Sequence, residues 1–178
     1  MRVKFLYLFL ALFLSGCLTS SGSVNNKTKD NKVFVVKKAD LNGDMLIEIV
    51  TAEDQKDQVS KGRVAVMRKD KGEIGSFSVP GHFSNLELIE LDMDGCKQIA
   101  VRSKDDSNRT YFTIHKLKNM NLVKIFEISS DSGIETEFDS TIPRIRVARN
   151  ITKVDGSCQI KEIKWATWVW TGDRFIKE

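Results

Sequence analysis

From Lys32 to its end, the chain is predicted to fold as all-β structure. Helical periodicity is almost absent after this point, and short runs of β-branched and aromatic residues alternate with turns rich in Gly, Asn and Asp. A related segment returns at intervals of about 50 residues, which indicates repeated supersecondary units that stack to share a core. We therefore predict a single all-β repeat domain over residues 33–178, a length that suits one hydrophobic core.

Pairs of candidate strands are joined by hairpin turns. Turns are predicted at 70–72, 118–121 and 171–173, where Gly, Asn or Asp stands between two alternating segments. Four strands in each of three repeats would give roughly twelve strands in all. The candidate strands are, in order, KVFVV, LIEIVTA, RVAVMR, IGSFSV, LELIEL, QIAVRS, TYFTIHKL, LVKIFEI, RIRVAR and IKWATWVW.

Residues 1–16 predict a signal peptide rather than part of the fold. Arg2 and Lys4 form a basic start, and the apolar run over residues 5–14 is too short to span a bilayer core of about 30 Å as a helix. The run ends in LSGC, which resembles the lipobox of bacterial lipoproteins. The resemblance implies that the thiol of Cys17 is diacylglycerated, that the chain is cut before it, and that the new amino group is acylated. The alternatives are an ordinary secretory signal with an incidental Cys, or an uncleaved anchor.

Residues 17–32 follow as a polar segment, which we interpret as a flexible tether between lipid and domain. Several acyl chains hold a protein on a membrane where a single chain would be marginal. Leu18 is not the Asp that resembles the inner-membrane retention signal of enteric bacteria. The predicted location is therefore the cell membrane or, in a cell with two membranes, the outer membrane. The alternative to a tether is an N-terminal arm packed on the domain.

The segment DLNGDMLIEIV is the best copy of the repeat. It begins at Asp40, and two weaker copies begin at Asp92 and Asp139, 52 and then 47 residues further on. Its pattern, D-x-N-G-D with an acid four residues later, resembles the loop of FG-GAP/VCBS-type β-propeller repeats. The resemblance implies about three four-stranded blades in a partial or small propeller, and a β-trefoil is the alternative fold. The second copy departs from the family pattern because it is about two residues shorter and has Cys96 in the place of an acid.

The same resemblance implies a structural calcium ion held by Asp40, Asn42, Asp44 and Glu48. Oxygen ligands at alternating positions of a tight loop suit such a hard cation. The alternative is an Asx-type turn, in which Asp40 and Asn42 accept hydrogen bonds from backbone amides. In both cases the loop is expected to join two strands of the first unit.

Composition and motifs argue against several other functions. Without Arg2 and Lys4, 26 of the 28 basic residues remain against 24 acidic ones, and this net charge of +2 gives no support for nucleic-acid binding. His82 and His115 are the only histidines and no Cys-x-x-Cys pair accompanies them, so a zinc site is not predicted. His115 lies in an alternating strand and is expected at a surface or an edge. The sequence has no Gly-x-Ser-x-Gly elbow and no Gly-rich phosphate loop, and we predict that the protein is not an enzyme.

Three tryptophans stand in the last long strand. Alternation places Trp168 and Trp170 on one face and Trp165 on the other. If exposed, Trp168 and Trp170 would stack on a sugar ring or form a protein-binding hot spot. The alternative is that this face of the strand supplies core.

Two cysteines remain once Cys17 is used by lipid. Cys96 and Cys158 form an even pair in an exported protein, and we predict a disulfide between them. The alternative is two unpaired small core residues.

Together these features predict a membrane-anchored bacterial lipoprotein that binds rather than catalyses. Its domain is expected to recognise a protein or a glycan at the cell envelope or surface, and the membrane is a second partner through the anchor. One alternative is a structural accessory subunit of an envelope complex, whose partner completes the propeller. A degenerate hydrolase is the other.

Overall fold

The structure is a computed structural model that describes residues 34–54, 61–138, 141–155 and 158–178. These ranges contain twelve β-strands and no helix long and apolar enough to cross a membrane. The strands are β1 (Phe34–Ala39), β2 (Glu48–Asp54), β3 (Lys61–Arg68), β4 (Gly72–Pro80), β5 (His82–Ile89), β6 (Gln98–Lys104), β7 (Thr110–Lys118), β8 (Asn121–Ser130), β9 (Ile134–Glu137), β10 (Arg144–Asp155), β11 (Cys158–Trp170) and β12 (Phe175–Lys177).

The strands form three four-stranded antiparallel sheets, each made from consecutive strands. Sheet A contains β1 to β4, sheet B contains β5 to β8, and sheet C contains β9 to β12, with neighbours in sequence also neighbours in the sheet. The sheets do not close into a barrel, which confirms the predicted all-β, blade-like repeats rather than the β-trefoil. The predicted turns at 70–72, 118–121 and 171–173 lie between the third and fourth strands of the three sheets.

Sequence reasoning missed β9 and the long hairpin of β10 and β11. The four residues of β9, IETE, contain no apolar run, and they pair only with residues 144–147 of β10. Strands β10 and β11 pair over their whole length, from Arg144 with Val169 to Asp155 with Cys158. Strand β12 pairs only with residues 168–170 of β11, so the distal half of the hairpin extends beyond both of its neighbours.

Two hydrophobic cores lie between the sheets. The core between sheets A and B is built mainly from Val50, Val64, Val66, Leu86, Ile99 and Val101. The core between sheets B and C is built mainly from Phe112, Ile114, Ile145, Val147 and Trp170. Sheet B is therefore covered on both faces, which is why the four consecutive residues 98–101 of β6 are all buried.

Candidate functional site

The loop between β1 and β2, residues 40–47, is held by the carboxylate of Asp40. Its Oδ1 accepts hydrogen bonds from the backbone amides of Asn42 and Gly43, at 3.1 and 2.7 Å. Its Oδ2 accepts another from the amide of Met45, at 2.8 Å. These bonds satisfy amides that a tight loop leaves without partners in a strand ladder. Asp40 therefore acts as an Asx-turn residue, one of the two roles that the sequence predicts for it.

Asp44 makes a second turn and connects the loop to β3. Its Oδ1 accepts from the amide of Leu46 at 2.9 Å, and its Oδ2 accepts from Nη1 of Arg68 at 2.7 Å. The Leu46 amide, followed by the side chains of Asn42 and Arg68, holds the pKa of Asp44 below its ordinary value. Asp70 also pairs with Arg68, at 2.7 Å, and is the main cause of the raised pKa of Arg68. A cation supplied by the chain itself therefore lies against the acids of the loop.

Glu48 begins β2 and is completely buried. Its Oε2 accepts a hydrogen bond from the amide of Leu41 at 2.9 Å. Its Oε1 makes no hydrogen bond and lies 4.0 Å from Nη1 of Arg68. A buried carboxylate requires compensation of this kind because an unpaired charge is costly to remove from water. Glu48 thus joins the start of the loop to the start of the strand and keeps one oxygen beside Arg68.

The loop between β5 and β6 repeats this geometry 50 residues further on. Glu90 takes the place of Asp40, and its Oε1 accepts a hydrogen bond from the amide of Gly95 at 2.9 Å. The corresponding bond in the first loop runs from Met45 to Asp40. The side chain of Lys97, followed by the Gly95 amide, lowers the pKa of Glu90.

The buried residue at the start of the strand is repeated as well. Gln98 takes the place of Glu48, and its Oε1 accepts from the amide of Leu91 at 2.9 Å, as Glu48 does from Leu41. Both Gln98 and Glu48 are fully buried. An amide replaces the carboxylate in the second loop, so the bond to the backbone is common to both loops while the buried charge is not.

The predicted alignment of Asp40 with Asp92, and the shorter second loop that follows from it, are therefore wrong. Both loops have the same length, and Glu90 is the residue equivalent to Asp40. The repeat was aligned by matching one Asp with another. The geometry requires only a carboxylate oxygen within reach of the corresponding amide, that of Met45 in the first loop and of Gly95 in the second. Cys96 occupies the place of Leu46 rather than that of an acid, and its amide donates to Oδ1 of Asp94.

A basic residue on the third strand of the sheet accompanies each loop. Arg68 lies opposite Glu48 in the ladder of β2 and β3, and the register of β6 and β7 places Lys116 opposite Gln98. The Nζ of Lys116 donates to Oδ2 of Asp92 at 2.8 Å, and this bond is the main cause of the raised pKa of Lys116. Each of the two loops thus has a basic side chain beside it, which the neighbouring strand supplies.

The third loop, between β9 and β10, includes Asp139, which lies outside the described residues.

Trp170 of β11 contacts the second loop, because its Nε1 donates to Oδ1 of Asp92 at 2.7 Å. Trp170 is only 8% exposed, and Trp168 packs against the same core. Both tryptophans thus lie against the core between sheets B and C, and a binding role for them stays a prediction.

The predicted cysteine chemistry depends on residues that are mostly not described. Cys17 lies outside the described residues, and the side chain of Cys158 does too, although its backbone begins β11. Cys96 is half-buried, with its Sγ 3.0 Å from the position that a Cβ would take on Gly43 of the first loop. Burial is the main cause that raises the pKa of the Cys96 thiol. Lipidation of Cys17 and the disulfide stay predictions.

Calcium at the first loop also stays a prediction. The described ranges contain no group of three or more His, Cys, Asp or Glu residues that could hold a metal ion. Both oxygens of Asp40 and one oxygen of Asp44 accept backbone hydrogen bonds, and Arg68 holds the other oxygen of Asp44. A calcium ion at this loop would therefore have to displace Arg68 from between Asp44 and Glu48.

Asp40→Ala is expected to lower the free energy of unfolding by about 2 kcal/mol, because three backbone amides lose their acceptor. Urea unfolding measures the loss. Asp94→Ala is the matched control, with a smaller loss expected because Asp94 accepts from one amide, that of Cys96.

Thermal melts with calcium and with chelator test the metal. Bound calcium would raise the stability, and Asp44→Ala would erase that rise. Unchanged stability of Asp40→Ala in both conditions would contradict the role assigned to this loop.

The two histidines differ in their surroundings. His115 is buried, and its ring stacks on that of Phe77 with the ring centroids 3.6 Å apart. The expectation that His115 lies at a surface or an edge is therefore wrong, because sheet A covers this face of sheet B. Burial is the main cause that lowers the pKa of His115 to about 4. His82 is exposed, with its ring nitrogens 3.8 Å from Asp54 and 3.6 Å from Asp106.

Sheet C presents an exposed face that sequence reasoning did not single out. Ile163 and Trp165 of β11 lie on it together with Ile176 of β12, on the side opposite the core with sheet B. The guanidinium of Arg146 lies over the ring of Trp165, 4.8 Å from its centroid, and also pairs with Glu135 at 3.0 Å. The odd-numbered apolar positions of β11 are the signal that would have revealed this face.

The loops themselves expose further apolar side chains. Met45, Leu46 and Ile47 in the first loop and Met93 in the second are exposed, although loops usually carry polar residues at such positions. The signal in the sequence is apolar residues inside segments that Asp, Asn and Gly mark as turns. The sequence placed Leu46 and Ile47 at the start of the candidate strand LIEIVTA, whereas β2 begins at Glu48, and it predicted no role for the side chains of Met45 and Met93.

The chain matches no protein-family model, and neither a curated protein nor a solved structure matches it. The lipobox and the FG-GAP/VCBS-type pattern are resemblances of the residues themselves. A functional proposal therefore depends on these motifs and on the geometry of the sheets and loops.

Proposed function

We propose that the protein is a bacterial lipoprotein whose three-sheet domain binds a protein partner at the cell envelope, without catalysis, through the exposed face of sheet C. One observation carries the proposal: Trp165 is 41% exposed and shares with Ile163 and Ile176 a sheet face that no core residue covers in the described ranges. The anchor itself comes from the lipobox at Cys17.

The stacking of the sheets supports a further layer on this face. Sheet A covers one face of sheet B and sheet C covers the other, each through an apolar core. The outer face of sheet C carries exposed apolar residues among arginines, and within the described residues it has no such cover. Exposed aromatic and aliphatic side chains beside an arginine have the composition of protein-binding hot spots.

The position of Arg146 favours a protein over a glycan. A sugar ring stacks on the open face of an aromatic side chain. At Trp165 the guanidinium of Arg146 lies over the ring, 4.8 Å from its centroid. A protein surface can pack around such a cation–π pair and accept hydrogen bonds from the arginine.

Capture from crosslinked envelope tests the proposed partner. The wild-type protein is expected to retain a stoichiometric protein that Trp165→Ser does not retain. Val123→Ser is the matched control, because Val123 is an exposed apolar residue of sheet B, and it is expected to leave capture unchanged. A partner that belongs to a larger envelope complex would identify the chain as an accessory subunit. Equal capture by wild type and Trp165→Ser would contradict the assigned surface.

The lipid anchor is tested at Cys17. We expect Cys17→Ser to accumulate as an unacylated precursor that the lipoprotein pathway does not process, because the acylated thiol is missing. Intact mass and acyl labelling measure the change, and Cys96→Ser, which removes a different thiol, is expected to keep the label. A wild-type protein that begins at another residue and carries no acyl mass would show that there is no such anchor.

A further inference from the structure

The β10–β11 hairpin has a stretch of strand edge without a neighbour. Strand β11 pairs with β10 along one side, and β12 covers its other side only at residues 168–170. Among the described residues, no strand pairs with residues 161–165 of β11 on that side. Ile163 is 56% exposed and Trp165 is 41% exposed, so this stretch is open to solvent. We call residues 161–165 the open edge.

The open edge presents backbone hydrogen-bonding groups at every second residue. The carbonyl of Thr167 accepts a hydrogen bond from the amide of Glu178, at 2.9 Å, on the side away from β10. Backbone groups of a strand return to the same side every two residues, so those of Lys161, Ile163 and Trp165 point to this side too. The register of β10 and β11 is unbroken here, which keeps the alternation in phase. Such an edge can accept another strand.

A second copy of β11 can pair with the open edge in antiparallel sense, about a twofold axis. The axis has to pass through a residue, because an axis between two residues would set outward backbone groups against inward ones. An axis at Lys161 or Lys164 places two lysines opposite each other, and an axis at Glu162 places two glutamates there. An axis at Trp165 runs the open edge into β12 of the second copy. An axis at Ile163 sets Glu162 opposite Lys164 of the second copy, and does so twice.

With the axis at Ile163, backbone and side chains match together. Ile163 lies opposite itself, and Lys161 lies opposite Trp165 of the second copy. These are the residues whose amides and carbonyls point outward, so the two strands exchange about six backbone hydrogen bonds. On the outer face of sheet C, the two Ile163 side chains meet and the stem of each Lys161 packs along a Trp165 ring. The pairing ends beyond these residues, since β12 of the second copy lies level with the tip of the hairpin.

The charges beside the open edge favour a second copy over another strand. The described side chains of the hairpin there include the bases Arg149, Lys161 and Lys164 and the acid Glu162, and Arg149 lies opposite Lys164 in the ladder. Two such edges repel in most registers, which limits unspecific aggregation. A foreign strand rich in acids would match the lysines but would add negative charge beside Glu162. A second copy supplies a base opposite the acid and an acid opposite the base.

We propose that two copies of the protein pair through β11, antiparallel about a twofold axis at Ile163. The contact joins sheet C of one copy to sheet C of the other by strand addition. It brings the two outer faces of sheet C side by side on one surface. The pairing needs neither the lipid anchor nor an envelope partner, and it therefore goes beyond the proposed function.

A cysteine on the twofold axis tests the pairing. In the full chain with Cys96→Ser and Cys158→Ser, Ile163→Cys places two Cα atoms about 5.5 Å apart, within the range of a disulfide. Trp165→Cys is the matched control, because its two copies lie about 14 Å apart along the strands. Oxidation is expected to link at least about fivefold more dimer in Ile163→Cys than in this control. The same chain without an added cysteine measures any contribution of Cys17.

Exchange of charges tests the register. Glu162→Lys sets two bases opposite each other in every pair, and Lys164→Glu sets two acids, so each variant alone is expected to lose the dimer. A mixture of the two variants restores both attractive pairs, and a dimer with one chain of each is expected. Sedimentation and co-purification of differently tagged chains measure association. Lys69→Glu, at an exposed lysine of the turn between β3 and β4, is the matched control and is expected to keep the dimer.

Mixing also separates association from folding. A variant that fails to fold would not be recovered by the other variant, whereas a folded chain with the wrong charge would. Monomers in the mixture of Glu162→Lys and Lys164→Glu would overturn the pairing. Equal crosslinking of Ile163→Cys and Trp165→Cys would overturn it too, as would crosslinking of Ile163→Cys to a different protein in place of a second copy.

The pairing and the proposed function fail separately. Lys164→Glu, which does not pair with itself, is expected to retain an envelope protein captured through Trp165. Loss of that capture together with loss of the dimer would show that the two are one interaction, and would overturn the pairing as a separate contact. Absence of acyl mass on Cys17 would remove the anchor and leave the crosslink at Ile163→Cys unchanged.

Discussion

Gly81→Ala is expected to lower the free energy of unfolding by at least about 3 kcal/mol, a large share of the 5–15 kcal/mol that stabilises a typical domain. Gly81 is the single residue between β4 and β5 and has φ of 69°. A Cβ at this position would lie 2.1 Å from the carbonyl oxygen of Lys104 and 2.6 Å from the amide nitrogen of Asp105. Both are backbone atoms, so rotation of a side chain cannot relieve the clash.

Gly72→Ala provides the matched control for this prediction. Gly72 has a similar φ of 75°, but a Cβ there would meet nothing within 4 Å. It therefore tests backbone strain alone, with an expected loss of about 1 kcal/mol. Urea midpoints of both variants measure the difference. Equal losses of unfolding free energy in the two variants would show that the close approach of β6 to Gly81, which links sheets A and B, has no effect on stability.

Acidification between pH 6.5 and 4 is expected to destabilise the protein by about 3 kcal/mol through His115, since its pKa falls from an ordinary value near 6.5 to about 4 in the folded state. Burial beneath Phe77 is the main cause, nearby Lys124 acts in the same direction, and Glu127 opposes both. The unfolded chain takes up the proton first as pH falls. The stability that depends on a neutral His115 is therefore fully present above pH 6.5 and is lost progressively as the pH approaches 4.

His115→Phe is expected to remove this loss, because phenylalanine keeps the stacked ring and cannot titrate. The difference in unfolding free energy between wild type and variant, measured from pH 8 to pH 4, isolates His115 from carboxylates such as Asp44 and Glu90 whose lowered pKa values matter at more acidic pH. His82→Gln, at an exposed site, serves as control and should keep the wild-type slope. A slope shared by wild type and His115→Phe would refute a buried neutral histidine.

The fold was predictable because its signals are local. Short apolar and β-branched segments such as QIAVRS and turns such as Asp70-Lys71-Gly72 depend on neighbouring residues alone, and the structure has strands and turns at these places. Strand β9 was not predictable in this way, because IETE has no apolar run and is ordered by pairing with β10. The surroundings of His115 depend on which face sheet A covers, and alternation within β7 cannot reveal that.

The candidate loops were predictable only in part. The Asx-turn role of Asp40 follows from short oxygen-bearing side chains around a glycine. The equivalence of Glu90 with Asp40 does not follow from such a pattern. It arises because a carboxylate on a longer side chain can reach the corresponding backbone amide. Arg68 and Lys116 are placed beside the loops by the register between strands, which a linear sequence does not contain.

The position of sheet B between the other two has a consequence for how the domain acquires its structure. Each sheet pairs strands that are consecutive in the chain, so its ladders close short loops and can form early. Both cores need sheet B, whereas sheets A and C each take part in one. Substitutions in sheet B, such as Phe112→Ala, should therefore slow folding more than equally destabilising substitutions in sheet A or C, which should mainly speed unfolding. We therefore expect the middle sheet to act as the nucleus on which the outer two sheets fold.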